Sequence, residues 1–296
     1  MKLCLGTVQL GMDYGVQGGH QPAYSKADEI LSLAEKSGIH TFDCAAAYGE
    51  AESVLGHYVG HNREKTGQIR VISKLAAGVF RDQPSGDWAD LAIRQAKASR
   101  ERLHVQQLEA YLFHDASMIQ APAAVTALRE VQRAGVAKKI GVSVYSPEEA
   151  MKALDYTEIE VIQIPYNVFD HRLDRCDFFE RAGERGVQVY ARSVLLQGLL
   201  TMDTDRFPEK MSFAKSVVGR YHDICAGYGI TPLRAAINYV VKHPGIDCLV
   251  FGVDSPEQLN EFVDAVSAGI PEELKEELTA AFWVEEEKLV NPVLWK

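Results

Sequence analysis

Short apolar runs alternate with longer amphipathic segments from one end of the chain to the other. Eight of these runs have the length of a strand, and runs such as VQVYA and CLVF are apolar and β-branched almost throughout. This composition suits strands that are buried on both faces, as in a parallel sheet covered by helices. The predicted strands are Leu3–Leu5, Ile39–Phe42, Ile69–Ser73, Ala110–Phe113, Lys139–Val142, Val161–Ile164, Val187–Ala191 and Cys248–Phe251.

The amphipathic segments between these runs carry helix signals. Ser25 and Ser146 stand where N-caps are preferred, Pro147 follows in the first turn, and Gly135 stands where a helix is expected to stop. The predicted helices are Ser25–Ser37, Ala51–Tyr58, Asp87–Arg102, Ala121–Ala134, one that opens at Ser146, Asp174–Arg185, Ser212–Tyr228, Thr231–Lys242, Pro256–Ala268 and Glu272–Glu287.

Eight strands separated by helices favour a parallel sheet closed into a (β/α)8 or TIM barrel over an open doubly wound sheet. The length of 296 residues is within the range of one such α/β barrel. No Pro- or Ser-rich linker divides the chain, so residues 1–296 are predicted to form a single domain. Because the first strand begins near Met1, no N-terminal hairpin is expected to cap the bottom of the barrel.

Charge and composition argue against several classes of protein. The net charge of −10 and the lack of a long basic run argue against a nucleic-acid-binding surface. No apolar run approaches the ~20 residues that span a bilayer, and the N-terminal segment lacks the long apolar stretch of a signal peptide. The five cysteines show neither a CxxC pair nor zinc-site spacing, which predicts reduced thiols, no metal site and a cytoplasmic location.

Four ionisable residues follow three of the predicted strands. Asp43 and Tyr48 follow the second strand, Lys74 follows the third and His114 follows the fourth. In a repeating β/α chain these strand ends converge on the face where such enzymes place their active sites. Each residue alone also has a structural interpretation, as a buried ion pair, a strand-end histidine or a rim tyrosine. Their joint placement favours catalysis by proton transfer to a carbonyl oxygen.

The segments that hold these residues resemble the aldo-keto reductase family, and the resemblance covers nearly the whole chain. It is carried by FDCAAAYGEAESVLG, by VISKL and by LFHD, in the family's order and strand context. The resemblance implies that Tyr48 donates a proton to the carbonyl oxygen while hydride arrives from a nicotinamide cofactor. Lys74 would stabilise the phenolate and lower the pKa of Tyr48, and Asp43 would hold Lys74 charged. His114 would hydrogen-bond the substrate oxygen.

The same resemblance implies a site for the nicotinamide and the pyrophosphate. Ser143 in IGVSVYS and Gln163 in VIQIPYN would bind the carboxamide, although Val144 stands where the family usually has Asn. Asn167 either supports this site or caps its loop. Arg192 stands where an aromatic residue often stacks on the ring. The residues expected to contact the pyrophosphate are Ser193, Leu195, Gln197 and Gly198.

An adenosine site is implied by LVFGVDSPEQLNEF. Gly252 and the helix start at Ser255 suit the close approach of a phosphate. Asp254 stands where arginine is common, and Phe262 replaces the usual asparagine. An acid there would repel a 2′-phosphate, so both NADP(H) and NAD(H) remain open as the cofactor. The residues that match adenine-side positions are Gln258 and Glu261.

These features predict an NAD(P)(H)-dependent oxidoreductase that interconverts a small carbonyl compound (an aldehyde, a ketone or a sugar) and its alcohol. Two alternatives remain open: a regulatory protein that binds the cofactor with little turnover, and a barrel isomerase or lyase without nicotinamide. No feature indicates a particular oligomeric state. The residues expected to wall the substrate pocket are Val8, Met12, Tyr14, Phe80, Trp88, Tyr145 and Trp295.

Overall fold

The computed structural model describes residues 1–16, 18–62, 64, 67–283 and 287–295. Eight parallel strands form a closed barrel in which each strand pairs with its neighbour in sequence and the last pairs with the first. The predicted (β/α)8 fold is therefore confirmed. The strands are β1 (Lys2–Gly6), β2 (Thr41–Asp43), β3 (Arg70–Leu75), β4 (Leu108–Phe113), β5 (Ala137–Ser143), β6 (Val161–Pro165), β7 (Gln188–Arg192) and β8 (Cys248–Phe251).

Helices cover the outside of the barrel. They are α1 (Val8–Gly11), α2 (Tyr24–Lys36), α3 (Ala51–His61), α4 (Trp88–Arg102), α5 (Pro122–Arg133), α6 (Pro147–Ala153), α7 (Phe178–Glu184), α8 (Lys215–Gly227), α9 (Pro232–Val241), α10 (Pro256–Ala268), α11 (Glu272–Ala281) and α12 (Glu287–Val290). Among the described residues, none of these helices has the length and apolar composition that crossing a bilayer requires.

The helix signals of the sequence are confirmed at some positions and wrong at others. Ser146 forms a capping box with Glu149, and Gly135 has a φ of 70° directly after α5. The prediction that Ser25 caps α2 is wrong, because the helix already begins at Tyr24 and the extended residue before it, Ala23, offers no side-chain cap. The predicted helix over Glu272–Glu287 ends at Ala281, and residues 284–286 lie outside the described part.

The α7 segment also begins later than predicted. Arg172–Arg175 forms a short 3-10 turn that ends at Cys176, whose backbone is extended, so α7 starts at Phe178.

All five cysteines are free thiols, as expected.

The strands alternate between the helix-covered face and the barrel interior, and this alternation places the polar residues of the mouth. Ile72 in β3, Val161 in β6 and Tyr190 in β7 belong to one buried cluster in the interior. The residues two positions further along each strand share that face. They are Lys74, Gln163 and Arg192. The strand register therefore brings chemically active side chains to the interior at the carboxyl ends of the strands.

Candidate active site at the barrel mouth

A cleft of about 1190 Å³ opens at the carboxyl ends of the strands. Most of the residues predicted for the site line it, whereas Lys74 and Gln163 lie buried behind its surface. The predicted residues that line the cleft are Asp43, Tyr48, His114, Ser143, Arg192, Ser193, Leu195, Gln197, Gly198, Gly252, Asp254, Gln258 and Glu261.

Lys74 joins Asp43 to Tyr48. Its fully buried ammonium donates to both carboxylate oxygens of Asp43 at 2.8 Å and to the hydroxyl of Tyr48 at 3.3 Å. It also donates to the Cys44 carbonyl at 2.9 Å. The register explains this contact, because Asp43 pairs with Ile72 and Lys74 is two residues further along the same face. Of the four residues, these three form one hydrogen-bonded chain.

The ionisation states of this chain follow from burial and charge. Burial alone would lower the pKa of Lys74, but the charge of Asp43 and the Tyr48 hydroxyl hold it above its ordinary value, so the amine is cationic. Burial raises the pKa of Tyr48, and Lys74 opposes that rise. Lys74 thus acts in the expected direction, but the expectation of a lowered pKa for Tyr48 is wrong because burial outweighs it. Tyr48 is a protonated phenol at neutral pH.

His114 faces Tyr48 from the end of β4. The two rings meet edge to face, with centroids 5.4 Å apart and planes at 88°. Burial, and after it the charge of Lys74, lower the pKa of His114 to about 4. His114 is therefore neutral at pH 7 and offers a hydrogen bond to a ligand oxygen rather than a positive charge.

The depressed pKa of His114 makes stability depend on pH. Between pH 4 and its ordinary pKa of 6.5, the unfolded chain carries a proton that the folded chain lacks. The contribution is complete above pH 6.5 and is lost as the pH falls toward 4. We expect a loss of up to about 3 kcal/mol across this window. Urea denaturation of wild type and His114→Asn at pH 7 and pH 4.5 measures it; equal pH dependence in both proteins would contradict the expectation.

The predicted carboxamide ligands make other contacts in the structure. Gln163 donates from Nε2 to Asp43 Oδ1 at 2.9 Å, so it extends the Asp43–Lys74 chain. Its Oε1 is buried and has no hydrogen-bond partner among the described residues. Ser143 accepts from Arg192 Nε at 3.2 Å. Of the two, Gln163 thus retains an unused buried acceptor.

The loop after β7 is held in an uncommon backbone conformation. Ser193, Leu196 and Gln197 have φ values of 61°, 46° and 56°. Such values in residues other than glycine are uncommon and persist where the surroundings fix them. Asn167 is part of that support, because its Nδ2 donates to the Ser193 carbonyl at 3.1 Å. Its Oδ1 also accepts from two backbone amides of its own loop, so Asn167 both caps its loop and supports the site.

The segment after β8 also lines the cleft. A Cβ at Gly252 would lie 2.3 Å from the amide of Gln9, so the close approach that this glycine permits is made by Gln9. Ser255 caps α10 as predicted, accepting from the amide of Gln258. Phe262 is buried and stacks on Phe251 with centroids 3.7 Å apart, which gives this part of the cleft an apolar wall.

The expected pocket walls are only partly confirmed. Val8, Tyr14 and Tyr145 line the cleft. Met12, Phe80 and Trp88 do not, since Met12 is exposed elsewhere on its loop and the two aromatic rings stack on each other. Trp295 lines a smaller neighbouring cavity with residues of the loops after β1 and β7.

Gln9 and Arg234 are among the cleft residues that were not predicted from the sequence. Gln9 lies three residues after the end of β1, and its position after a strand end was a usable signal. Arg234 lies in α9, away from any strand end, and donates to the carbonyls of Ala268 and Gly269. No strand-end pattern in the sequence marks it.

Curated proteins similar to this chain include a reductase and a dehydrogenase. An NADH-specific methylglyoxal reductase of Escherichia coli is 24% identical over 274 residues, covering 82% of this chain and 83% of that protein. A pyridoxal 4-dehydrogenase of Microbacterium luteolum is 23% identical over 322 residues, covering 92% of this chain and 91% of that protein.

A solved structure supports the fold independently. A protein from Pseudomonas aeruginosa, described as an aldo-keto reductase, matches with a TM-score of 0.66 at 23% identity, covering 89% of this chain and 88% of that one. The family model described as the aldo/keto reductase family matches residues 2–281, nearly the whole chain. The chain therefore belongs to the aldo/keto reductase family.

Proposed function

We propose that this enzyme reduces a small carbonyl compound to its alcohol, and runs the reverse reaction, with Tyr48 as the proton donor. The observation that carries the proposal is the position of the Lys74 ammonium, which contacts the Asp43 carboxylate and the Tyr48 hydroxyl together. In this arrangement a protonated phenol faces the cleft with a fixed cation behind it. Such a cation stabilises negative charge on the phenol oxygen as its proton leaves.

The cleft fits a nicotinamide dinucleotide. The cleft has a volume of about 1190 Å³, and its lining includes Tyr48 and residues of α10. At the catalytic end, the unpartnered Oε1 of Gln163 is a buried acceptor suited to an amide N–H of the carboxamide. The left-handed loop from Ser193 to Gly198 would hold the pyrophosphate, and the start of α10 would lie near the adenosine. When bound, the cofactor supplies or accepts the hydride.

The protein's own residues handle the proton. A carbonyl oxygen placed between Tyr48 and neutral His114 would accept hydrogen bonds from both groups. As negative charge develops on that oxygen, the Tyr48 hydroxyl transfers its proton, and Lys74 balances the charge left on the phenol oxygen. Asp43 keeps Lys74 in place by accepting its hydrogen bond, and Gln163 keeps Asp43 in place by donating to its carboxylate. In alcohol oxidation the same groups act in reverse.

We further propose NAD(H) as the preferred cofactor. The end of the cleft that would hold the ribose is acidic: Asp254 and Glu261 line it, and Glu257 lies in the first turn of α10. Arg234 also lines this end and donates to two backbone carbonyls, but its single positive charge is outnumbered by these acids. A 2′-phosphate would meet negative charges there, whereas a ribose hydroxyl can donate to them.

Asp254→Arg is therefore expected to raise the ratio of kcat/KM for NADPH over NADH by at least about tenfold, or ~1.4 kcal/mol. Replacing repulsion by an ion pair with the 2′-phosphate is the physical reason. Asp90→Arg, an equal charge change at an exposed position of α4, serves as the control. A ratio that is the same in wild type and Asp254→Arg would show that Asp254 does not face the ribose.

The proposed reaction is tested by measuring cofactor binding and carbonyl reduction on the same protein. Quenching of tryptophan fluorescence gives the dissociation constants of NADH and NADPH. The decrease in absorbance of the reduced cofactor then measures reduction of a panel of aldehydes, ketones and sugars that includes methylglyoxal and pyridoxal. Tight cofactor binding without turnover of any carbonyl would favour a regulatory role, and binding of neither cofactor would refute the proposal.

A further inference from the structure

Arg192 places a guanidinium in the catalytic end of the cleft. Three neutral oxygens accept its hydrogen bonds: Ser143 Oγ at 3.2 Å, Ser193 Oγ at 3.0 Å and the Val144 carbonyl at 2.7 Å. The ring of Tyr145 lies 4.2 Å from the guanidinium carbon. These contacts fix the side chain before any ligand binds, so the cost of ordering it is already met.

The charge of Arg192 is not balanced within the described part of the chain, where no carboxylate lies within ion-pair distance of it. Asp43 lines this end but is committed to Lys74. His114 is neutral at pH 7. The catalytic end therefore carries a net positive charge. The other acids that line the cleft lie after β8; they are Asp254, Glu261 and Asp264.

Tyr145, the platform under the guanidinium, is itself anchored. Arg172 donates to its backbone carbonyl at 3.0 Å and is held by both carboxylate oxygens of Asp170. An ordered, unpaired cation that lines the same cleft as Tyr48 is a feature suited to recognising an anion.

We propose that Arg192 binds a negatively charged group of the substrate, so that the natural substrate is a carbonyl compound bearing a carboxylate or a phosphate. A guanidinium has five N–H groups, and the three hydrogen bonds that Arg192 makes leave two for a ligand. The inference rests on the proposed function, because it takes the carbonyl to lie between Tyr48 and His114.

The competing role for this cation is binding of the cofactor. Arg192 stands where the family resemblance implies stacking on the nicotinamide, and it directly precedes the loop from Ser193 to Gly198. The two roles differ in what they change. A residue that binds the cofactor sets the affinity for NADH and treats all carbonyl compounds alike. A residue that binds a substrate anion sets the preference among carbonyl compounds and leaves the affinity for NADH nearly unchanged.

Matched pairs of compounds test the proposal on the wild-type enzyme. Each anionic aldehyde is paired with a neutral one: 4-formylbenzoate with 4-formylbenzamide, succinic semialdehyde with its primary amide, and glyceraldehyde 3-phosphate with glyceraldehyde. We expect kcat/KM to be about 10- to 100-fold higher for the anion in at least one pair, the size of a hydrogen-bonded charge. The first two pairs test recognition of a carboxylate, and the third tests recognition of a phosphate. Ratios near one in all three would overturn the proposal.

Variants assign the effect to Arg192. In Arg192→Gln the preference for the anion should fall to about one, and Arg192→Lys should restore part of it because the charge returns. Arg129→Gln removes an equal charge from a surface ion pair with Glu158 and should keep the wild-type preference. Retention of the preference by Arg192→Gln would refute the assignment. So would a loss of affinity for NADH in Arg192→Gln together with an equal loss of kcat/KM for both members of each pair.

A failure of the proposed function gives a different result, because then neither member of any pair is reduced. Calorimetric binding of 4-(hydroxymethyl)benzoate and 4-(hydroxymethyl)benzamide still decides the inference in that case. Tighter binding of the benzoate by wild type, but not by Arg192→Gln, supports it, and equal binding of the two compounds overturns it.

Discussion

Tyr48→Phe is expected to lower kcat for carbonyl reduction by about 100- to 10 000-fold, the usual contribution of a positioned proton donor. The substitution removes one hydroxyl and keeps the ring that packs edge to face with His114. Lys74 loses one of its acceptors but retains Asp43 and the Cys44 carbonyl. The fold and the cofactor site should therefore persist while the proton transfer is lost. Steady-state kinetics with an aldehyde that the wild type reduces measures the loss of kcat. Quenching of tryptophan fluorescence by NADH measures the affinity for the cofactor.

The control for this substitution is Tyr228→Phe, which removes a hydroxyl from an exposed tyrosine whose partner is Glu277. That variant should keep the wild-type kcat. Retention of more than about one-tenth of kcat by Tyr48→Phe would remove Tyr48 from the role of proton donor. Equal losses of NADH affinity and of kcat would instead indicate a collapsed site.

The barrel and the Asp43–Lys74 pair at its mouth could be predicted because both follow from strand periodicity. A strand such as β8 is buried at every residue, so its apolar run is visible in the sequence. Asp43 and Lys74 end such runs, and the parallel register then brings them together without further information. The family resemblance added the roles of these residues.

The details that sequence patterns could not supply depend on which groups meet across the barrel. Gln163 lies 120 residues from Asp43 in sequence, and its hydrogen bond to that carboxylate leaves no local pattern. Arg192 reaches over the end of β6 to Ser143 in the same way. The net pKa shift of Tyr48 depends on burial, which only the assembled cleft determines. The prediction that Trp88 walls the pocket was wrong for a related reason, since Trp88 begins α4 and its ring stacks on Phe80.

Lys74→Met is expected to have the second large effect, a loss of about 3–5 kcal/mol in the free energy of unfolding. The substitution leaves the Asp43 carboxylate buried and without its cation, and among the described residues only the Gln163 amide still donates to it. Turnover should fall with stability, because the phenol oxygen of Tyr48 loses its stabilising charge. Urea denaturation monitored by tryptophan fluorescence gives the first quantity and steady-state kinetics the second.

The double variant Asp43→Asn with Lys74→Met separates catalysis from stability. Removing both charges removes the uncompensated carboxylate, so the double variant should be more stable than Lys74→Met alone, which is the non-additivity expected of a buried pair. If the pair served only to stabilise the barrel, turnover would recover together with stability. If Lys74 acts on Tyr48, as their 3.3 Å contact indicates, the double variant regains stability and still fails to reduce aldehydes. Recovered turnover in that variant would refute the catalytic role of the pair.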